Sequence, residues 1–303
     1  MPRVLLISHS FVERDARVRR QIDTFLDEGW DVAVLALDQP LHTERLRRFR
    51  VPMARRRGSP LRYVWEYGIF FLWAFFWTAR QVVVRHRPDL VYVNSLPDFL
   101  VFAALPARLL RIPVLLDIHD PMPELFLAKE RTSMLVTRTL ELQERSAIRF
   151  ATKTITVHES MKELLESRTP GASIDVIMNV PDLTSWPQII PDSDSRTLVY
   201  AGSIAVRYGL DEVITAVADV QGVIPDIALR LIGEGEDEQR LLDLADSLGA
   251  RVETRGKVTW EEMPRHLSGV WLGVNYPKPD SLGELSFSNK VVEWVAAGIP
   301  VLA

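Results

Sequence analysis

The side chains best suited to chemistry lie in three stretches, and the run Leu285–Gly298 is the most explicit of them. Ser288 is placed to cap a helix, so Asn289 and Lys290 fall in its first turn and Glu293 about one turn later. The free N–H groups and positive dipole end of a helix, with a lysine beside them, suit a diphosphate, and a carboxylate one turn on reaches ribose hydroxyls. A second stretch, Tyr200–Asp211, reads as a strand, a small-residue loop containing Gly202, and a helix, with Arg207 at the mouth. The third is a pair, Asp89–Asp98 and Leu116–Glu124. Each places polar groups directly after a parallel strand, where open α/β sheets bind ligands, and His119 stands at the second of these ends. Every one of these residues also has a plain structural reading. His119 would then be a hydrogen-bonded strand-end residue, Arg207 a surface arginine, and Lys290 and Glu293 solvated helix residues.

Other chemistries leave no mark. There is no P-loop and no HExxH pattern, and the six histidines have no metal-ligand spacing. The absence of cysteine excludes disulfides and thiolate metal sites. Asp192-Ser193-Asp194 matches a metal-holding Asp-x-Asp pattern but sits among prolines and serines and is read as chance, so no metal is expected. The loop Ser8–Arg14 after the first strand contains no glycine, which removes the dinucleotide fingerprint from its usual place. Gly233-Glu234-Gly235 follows a strand and opens a helix, but Glu238 occupies the third glycine position, and a tight βα turn explains it better than a dinucleotide site. The paired carboxylates of a glycosidase are not evident.

The elements that must position these residues follow from the apolar pattern. Val4–Ile7, Asp31–Leu37, Asp89–Val93, Val114–Asp117, Thr154–Val157 and Asp175–Ile177 are short runs in the first half; Thr197–Ala201, Ala228–Ile232, Arg251–Arg255 and Leu272–Asn275 follow in the second. Being apolar throughout rather than alternating, they read as strands covered on both faces of a parallel sheet. Helical spacing separates them at Ala16–Asp27, Leu135–Arg149, Leu210–Val220 and Asp237–Leu248. The βαβα order predicts two Rossmann-like, doubly wound α/β domains, at 1–180 and 197–303, joined by a proline-bearing linker at 181–196. The length of 303 residues fits two domains. The closing Gly298–Ala303 reads as a helix stop and a new strand, so the second domain is expected to be incomplete. The net charge of −4 argues against wholesale nucleic-acid binding. Val4–Ile7 is too short for a signal-peptide core, which points to folding in the cytosol.

One segment stands apart. Eight arginines and no acid lie between Arg45 and Arg62, and nine of the fifteen residues Tyr63–Trp77 are aromatic. Spanning a bilayer takes about 20 apolar residues, more than this run offers. Cationic and aromatic side chains together suit the headgroup boundary, so Arg45–Trp77 is expected either to touch a membrane surface or to form a buried helix below an exposed basic loop.

Taken together, Asp-Ile-His-Asp at 117–120 with Met-Pro-Glu at 122–124, Arg-Tyr-Gly-Leu-Asp at 207–211 and the run Asn289–Val301 resemble a family-4-type retaining glycosyltransferase of the bacterial cell-surface polysaccharide kind, along essentially the whole chain. The resemblance implies a GT-B fold, a nucleotide-diphosphate sugar held mainly by the second domain, and a lipid-linked or glycan acceptor held by the first. It places Arg207 at the donor phosphates, Asn289 and Lys290 at the diphosphate, Glu293 at the ribose and His119 over the donor sugar. Gly202 would belong to the same donor site, and Gly233, Gly235 and Lys257-Val258 would line its base pocket. No other cofactor is implied, and the enzyme would work at the inner face of the cell membrane. Two departures stand out. The family's paired glutamates are separated by seven residues, but Leu285 occupies the earlier position and Glu284 is one place off. Ser203 and Tyr208 stand where the family carries arginine and lysine. The same architecture serves nucleotide-sugar 2-epimerases, for which a lipid-facing segment has no use, and the departures would also suit a non-catalytic nucleotide-sugar-binding subunit.

Overall fold

The structure, a computed structural model, describes residues 1–53, 60–83, 87–127, 134–181, 189, 192, 194–259, 262–278 and 288–303. Arg55–Arg57, Glu284 and Leu285 lie outside them, as does most of the expected linker. The chain forms two compact units, Met1–Met178 and Asn179–Ala303. Ile189, read from the sequence as linker, belongs to the second: its N–H donates to Ala297 O at 2.9 Å and its side chain packs on that unit's core.

In the first unit the strands are β1 (Arg3–Ile7), β2 (Asp31–Ala36), β3 (Leu41–His42), β4 (Leu46–Arg50), β5 (Leu90–Asn94), β6 (Val114–Ile118), β7 (Lys153–Thr156) and β8 (Ile174–Val176). They lie in the order β3-β4-β2-β1-β5-β6-β7-β8, parallel except for β3 against β4. Val4, Leu5, Leu6 and Ile7 are all fully buried; Leu5 and Ile7 join one core cluster and Val4 and Leu6 the other. Successive side chains of a strand point to opposite faces, so an unbroken apolar run marks a sheet covered on both sides. The crossovers are α1 (Ala16–Asp27), α2 (Pro60–Val83), a 3-10 turn Asp98–Ala104 continuing into α3 (Leu105–Leu109), α4 (Met122–Leu127), α5 (Met134–Phe150) and α6 (Glu159–Arg168). Asp15 caps α1, its side chain accepting from Val18 N at 3.2 Å.

The basic–aromatic segment divides between the sheet and a helix. Leu46–Arg50 is strand β4, paired in parallel with β2, and Arg48 turns inward: its Nε donates to Gln39 O at 2.9 Å and its Nη2 to Glu13 at 3.1 Å. Three arginines in five residues disguised this strand in the sequence. In α2, Phe70 and Ala74 pack in the core, whereas Trp65, Ile69, Leu72, Trp73 and Phe76 are exposed. Spaced i, i+4, i+7, i+8 and i+11, these five run along one side of the helix. Among the described residues no helix is long and apolar enough to cross a membrane.

A group of acids is buried between the helices of this unit. Asp98 and Glu144 are fully buried; neither oxygen of Asp98 nor Oε2 of Glu144 has a hydrogen-bond partner among the described residues. Arg168 pairs with Glu124 and reaches Glu144 at 3.5 Å. Burial pushes the Glu144 carboxyl up to about 7, against the pull of Arg168, and holds that of Asp98 well above the usual carboxylate range.

The second unit is a five-stranded parallel sheet in the order β11 (Val252–Thr254), β10 (Ala228–Ile232), β9 (Thr197–Ala201), β12 (Leu272–Val274), β13 (Val301–Leu302). Helices α7 (Leu210–Val220), α8 (Glu238–Leu248), α9 (Met263–Leu267) and α10 (Asn289–Ala296) accompany it. Leu198 and Tyr200 enter one core, Val199 and Ala201 the other, the same two-faced burial as in β1.

Candidate functional site

In the second unit three loops leave the carboxyl ends of β9, β10 and β11 and are laced edge to edge by their backbones. Gly202 N–H donates to Ile232 O at 2.8 Å, Gly233 N–H to Gly256 O at 2.8 Å, and Ile204 N–H to Glu234 O at 3.1 Å. The glycines are required by this closeness. A Cβ on Gly233, whose φ is +140°, would lie 1.8 Å from Gly202 O, and one on Gly235 1.7 Å from Ile204 O. The glycine pair is therefore a close-packing device that shapes the floor of the loop after β9.

Above that floor stands Lys290, in the first turn of α10. Its ammonium lies 4.1 Å from the centroid of the Tyr200 ring and 4.6 Å from that of Tyr208, and a Cβ at Gly202 would come within 3.3 Å of it. Burial lowers its pKa to about 8, with Glu293, three residues on, pulling the other way. Trp294 anchors the helix: it is buried against Gly273 of β12, where a Cβ would lie 2.4 Å from its ring. Ser288 occupies the N-cap with extended geometry, though its side chain makes no capping bond, and Asn289 is exposed at the first helical position. Arg207 lies in the 3-10 turn Val206–Tyr208, its guanidinium exposed and 5.6 Å from the Tyr208 ring centroid, while its carbonyl accepts from Lys278 N at 2.9 Å. Val258, just beyond β11, is half-buried against the cluster that holds Trp294, and Lys257 is exposed. Ser203 is exposed; its carbonyl accepts the Tyr200 hydroxyl at 2.7 Å.

Gly202, Gly233, Gly235 and Lys290 are thus brought together, with Tyr208 joining Arg207 to them. His119 belongs to the first unit. It follows β6, its N–H lies 3.4 Å from Ser95 Oγ, and its Nδ1 is buried without a hydrogen-bond partner among the described residues. Beside it the structure adds a network that the sequence did not single out. Fully buried Asp117 accepts from Arg17 Nε and Nη2, both at 2.8 Å, from Gln21 Nε2 at 2.7 Å and from the Tyr92 hydroxyl at 2.9 Å. Arg17 Nη1 also donates to Ile177 O at 3.0 Å, tying α1 to the chain beyond β8. In the stretch read as a chance metal pattern, Asp192 Oδ1 accepts from Asp194 N at 3.0 Å; Ser193 lies outside the described residues. Among the described residues no three potential metal ligands stand together.

Residues 15–179 match the family described as glycosyl transferase 4-like domain, and residues 195–303 the family glycosyl transferases group 1. Glycogen synthase of Mycobacterium tuberculosis (strain CDC 1551 / Oshkosh) is 29% identical over 165 residues, 52% of this chain and 39% of that protein. The match thus spans about two fifths of the length of the curated relatives. Among solved structures, sucrose-phosphate synthase from Thermosynechococcus elongatus superposes with a TM-score of 0.73 at 17% identity, over 99% of this chain and 80% of that one. WaaG, a glycosyltransferase involved in lipopolysaccharide biosynthesis, does so with a TM-score of 0.64 at 14% identity, over 98% and 80%. At such identities the likeness speaks for the fold, two Rossmann-like domains of the GT-B class. With one family matching more than half of its length and a second most of the rest, the chain belongs to the GT-B glycosyltransferases, as a glycosyl transferase 4-like domain followed by a group 1 domain.

Proposed function

We propose that the chain is a retaining glycosyltransferase that moves a sugar from a nucleoside diphosphate to an acceptor at a membrane surface. The observation that carries the reading is Lys290. Its ammonium stands at the mouth of a glycine-floored loop, at the start of α10, and among the described residues it meets ring faces rather than an acceptor. An anion completes such a place, and the helix dipole adds to its attraction. Departure of the nucleoside diphosphate builds negative charge on the phosphates, which Lys290, Arg207 and the first turn of α10 would stabilise; Glu293 would accept the ribose hydroxyls. Retention would follow from attack on the face the leaving group vacates, with a donor phosphate oxygen taking the acceptor proton. No metal step is required, and transfer is expected to persist in EDTA.

Glu293→Ala and Arg207→Ala test the site. Hydrogen bonds to charged groups contribute about 1.5–3 kcal/mol, so each variant should bind its nucleotide sugar roughly 10–100-fold more weakly. A thermal-shift panel of nucleotide sugars, followed by titration of the best, measures this, and wild-type affinity in both variants would place the site elsewhere. Turnover of the donor without an acceptor product would favour the 2-epimerase, and binding without turnover the non-catalytic subunit.

The acceptor's setting rests on α2. Its exposed stripe of Trp65, Ile69, Leu72, Trp73 and Phe76 lies on the helix that adjoins α3, where Leu105 and Leu109, and Leu110 just beyond, are also exposed, with Arg80 and Arg111 nearby in sequence and exposed. Apolar rings flanked by cations fit an anionic lipid surface, at the cytosolic face in this reading. The protein should float with anionic vesicles at low salt, and the triple variant Trp65→Ser, Trp73→Ser, Phe76→Ser should not. Recovery of the wild type in the soluble fraction would overturn this reading.

A further inference from the structure

Lys290 is held by aromatic faces, with Glu293 acting on it only through its field. Among the described residues its ammonium makes no hydrogen bond or ion pair, and its neighbours are the faces of Tyr200 at 4.1 Å and Tyr208 at 4.6 Å. The difference from a salt bridge matters for a site that must meet an anion. A carboxylate partner would cancel the cation's field and compete with the ligand, whereas a ring quadrupole orients the cation and leaves its full charge in place. Both rings are fixed. Tyr200 is fully buried, with its hydroxyl donating to Ser203 O at 2.7 Å. Tyr208 closes the 3-10 turn just before Gly209, whose φ of +61° and whose approach to Tyr276 O, 2.3 Å from where a Cβ would stand, admit only glycine. The rings lie 6.1 Å apart at 50°, forming an open cleft for one ammonium.

The geometry points to Tyr208, with Tyr200, as the positioning residue that holds the Lys290 ammonium over Gly202 for a phosphate oxygen of the donor. The inference rests on the donor reading above. It also gives a use to position 208, where the sequence resemblance led one to expect a lysine: the chain supplies a surface that places a cation there, instead of the cation.

Three variants and two readouts test it. In the wild type, proton NMR of carbon-13-labelled lysine should show the Lys290 ε-methylene displaced upfield by the two ring currents, with Lys290→Met giving the assignment. Tyr208→Phe should keep that displacement and Tyr208→Leu lose much of it. Inorganic pyrophosphate, titrated calorimetrically at pH 7, should bind about 3–10-fold more weakly to Tyr208→Leu, with affinity recovered in Tyr208→Phe. An undisplaced ε-methylene in the wild type overturns the clamp without recourse to any variant. Weaker binding in Lys290→Met with none in Tyr208→Leu overturns the positioning role alone. Unchanged binding in both overturns the donor-phosphate reading on which it rests.

Discussion

Gly235→Ala should cost the second unit about 3–5 kcal/mol, a large fraction of the roughly 5–15 kcal/mol that stabilises an ordinary domain. The new methyl would stand 1.7 Å from Ile204 O and 2.5 Å from Ile204 C. Both are backbone atoms, so no side-chain rotation relieves the overlap. Nor is the opposing loop free to retreat. Ile204 is fully buried, its N–H is bonded to Glu234 O at 3.1 Å, and its carbonyl accepts from Asp237 N at 3.4 Å. Relief requires the loops after β9 and β10 to part, which breaks that lacing and opens the core beneath it. Gly222→Ala is the matching control: its nearest contact would be at 3.9 Å, and its effect should stay within about 1 kcal/mol. Hydrogen exchange of β9 and β10 reports this unit by itself. Protection in Gly235→Ala equal to that of the control would mean that the loops separate at little cost and that the glycine floor is not tight.

In the first unit the largest effect should come from the buried ion pair. Asp117→Leu leaves the buried Arg17 guanidinium without its carboxylate, keeping only the Ile177 carbonyl as acceptor among the described residues, and is expected to cost about 3–5 kcal/mol. Arg17→Met should cost less, because the Asp117 carboxylate keeps Gln21 Nε2 at 2.7 Å and the Tyr92 hydroxyl at 2.9 Å as donors. The double variant, with neither charge, should be more stable than Asp117→Leu alone. The coupling from the complete cycle should be about 0.5–3 kcal/mol. Denaturant unfolding followed by hydrogen exchange at β5 and β6 measures all four proteins. Strict additivity would show that the two charges are solvated independently despite their 2.8 Å contacts.

How far the sequence foretold these features depended on how local each one is. The strands β1, β5, β6, β9 and β10 were legible because burial on both faces demands a nearly unbroken apolar run, a pattern within five residues that single polar residues such as Asn94, Asp117 and Arg230 do not hide. Strand β4 was not, because its partner β2 supplies the pairing and its own arginines find Gln39 and Glu13 across the fold. The start of α10 was legible from Ser288, Lys290 and Glu293, although the serine caps by backbone shape rather than by its hydroxyl. The Arg17–Asp117 pair escaped notice because its members lie 100 residues apart: Asp117 stood in a motif, but nothing near Arg17 marks it as the partner. Tyr200 was read as a strand residue and Tyr208 as a departure from the family's lysine, and only the fold shows that both face one ammonium. The glycines at 233 and 235 were read as a turn; their reason is the opposite loop, which no spacing within the turn discloses.

The buried acids of the first unit carry a last consequence, which concerns protons as reactants. In the unfolded chain Asp98 and Glu144 ionise near their ordinary values of 3.8 and 4.5, whereas in the folded unit the first is held well above its own and the second sits at about 7. Between those limits the folded form binds more protons than the unfolded one, so folding near neutrality consumes them. The contribution of these acids is complete below the unfolded values and is lost as the pH rises through about 7 for Glu144. Unfolding at pH 6 therefore releases protons to the buffer, and its calorimetric heat should change with the buffer's ionisation enthalpy. In Glu144→Gln that dependence should shrink. Asp98 and Glu144 thus act as a proton store filled when the unit closes.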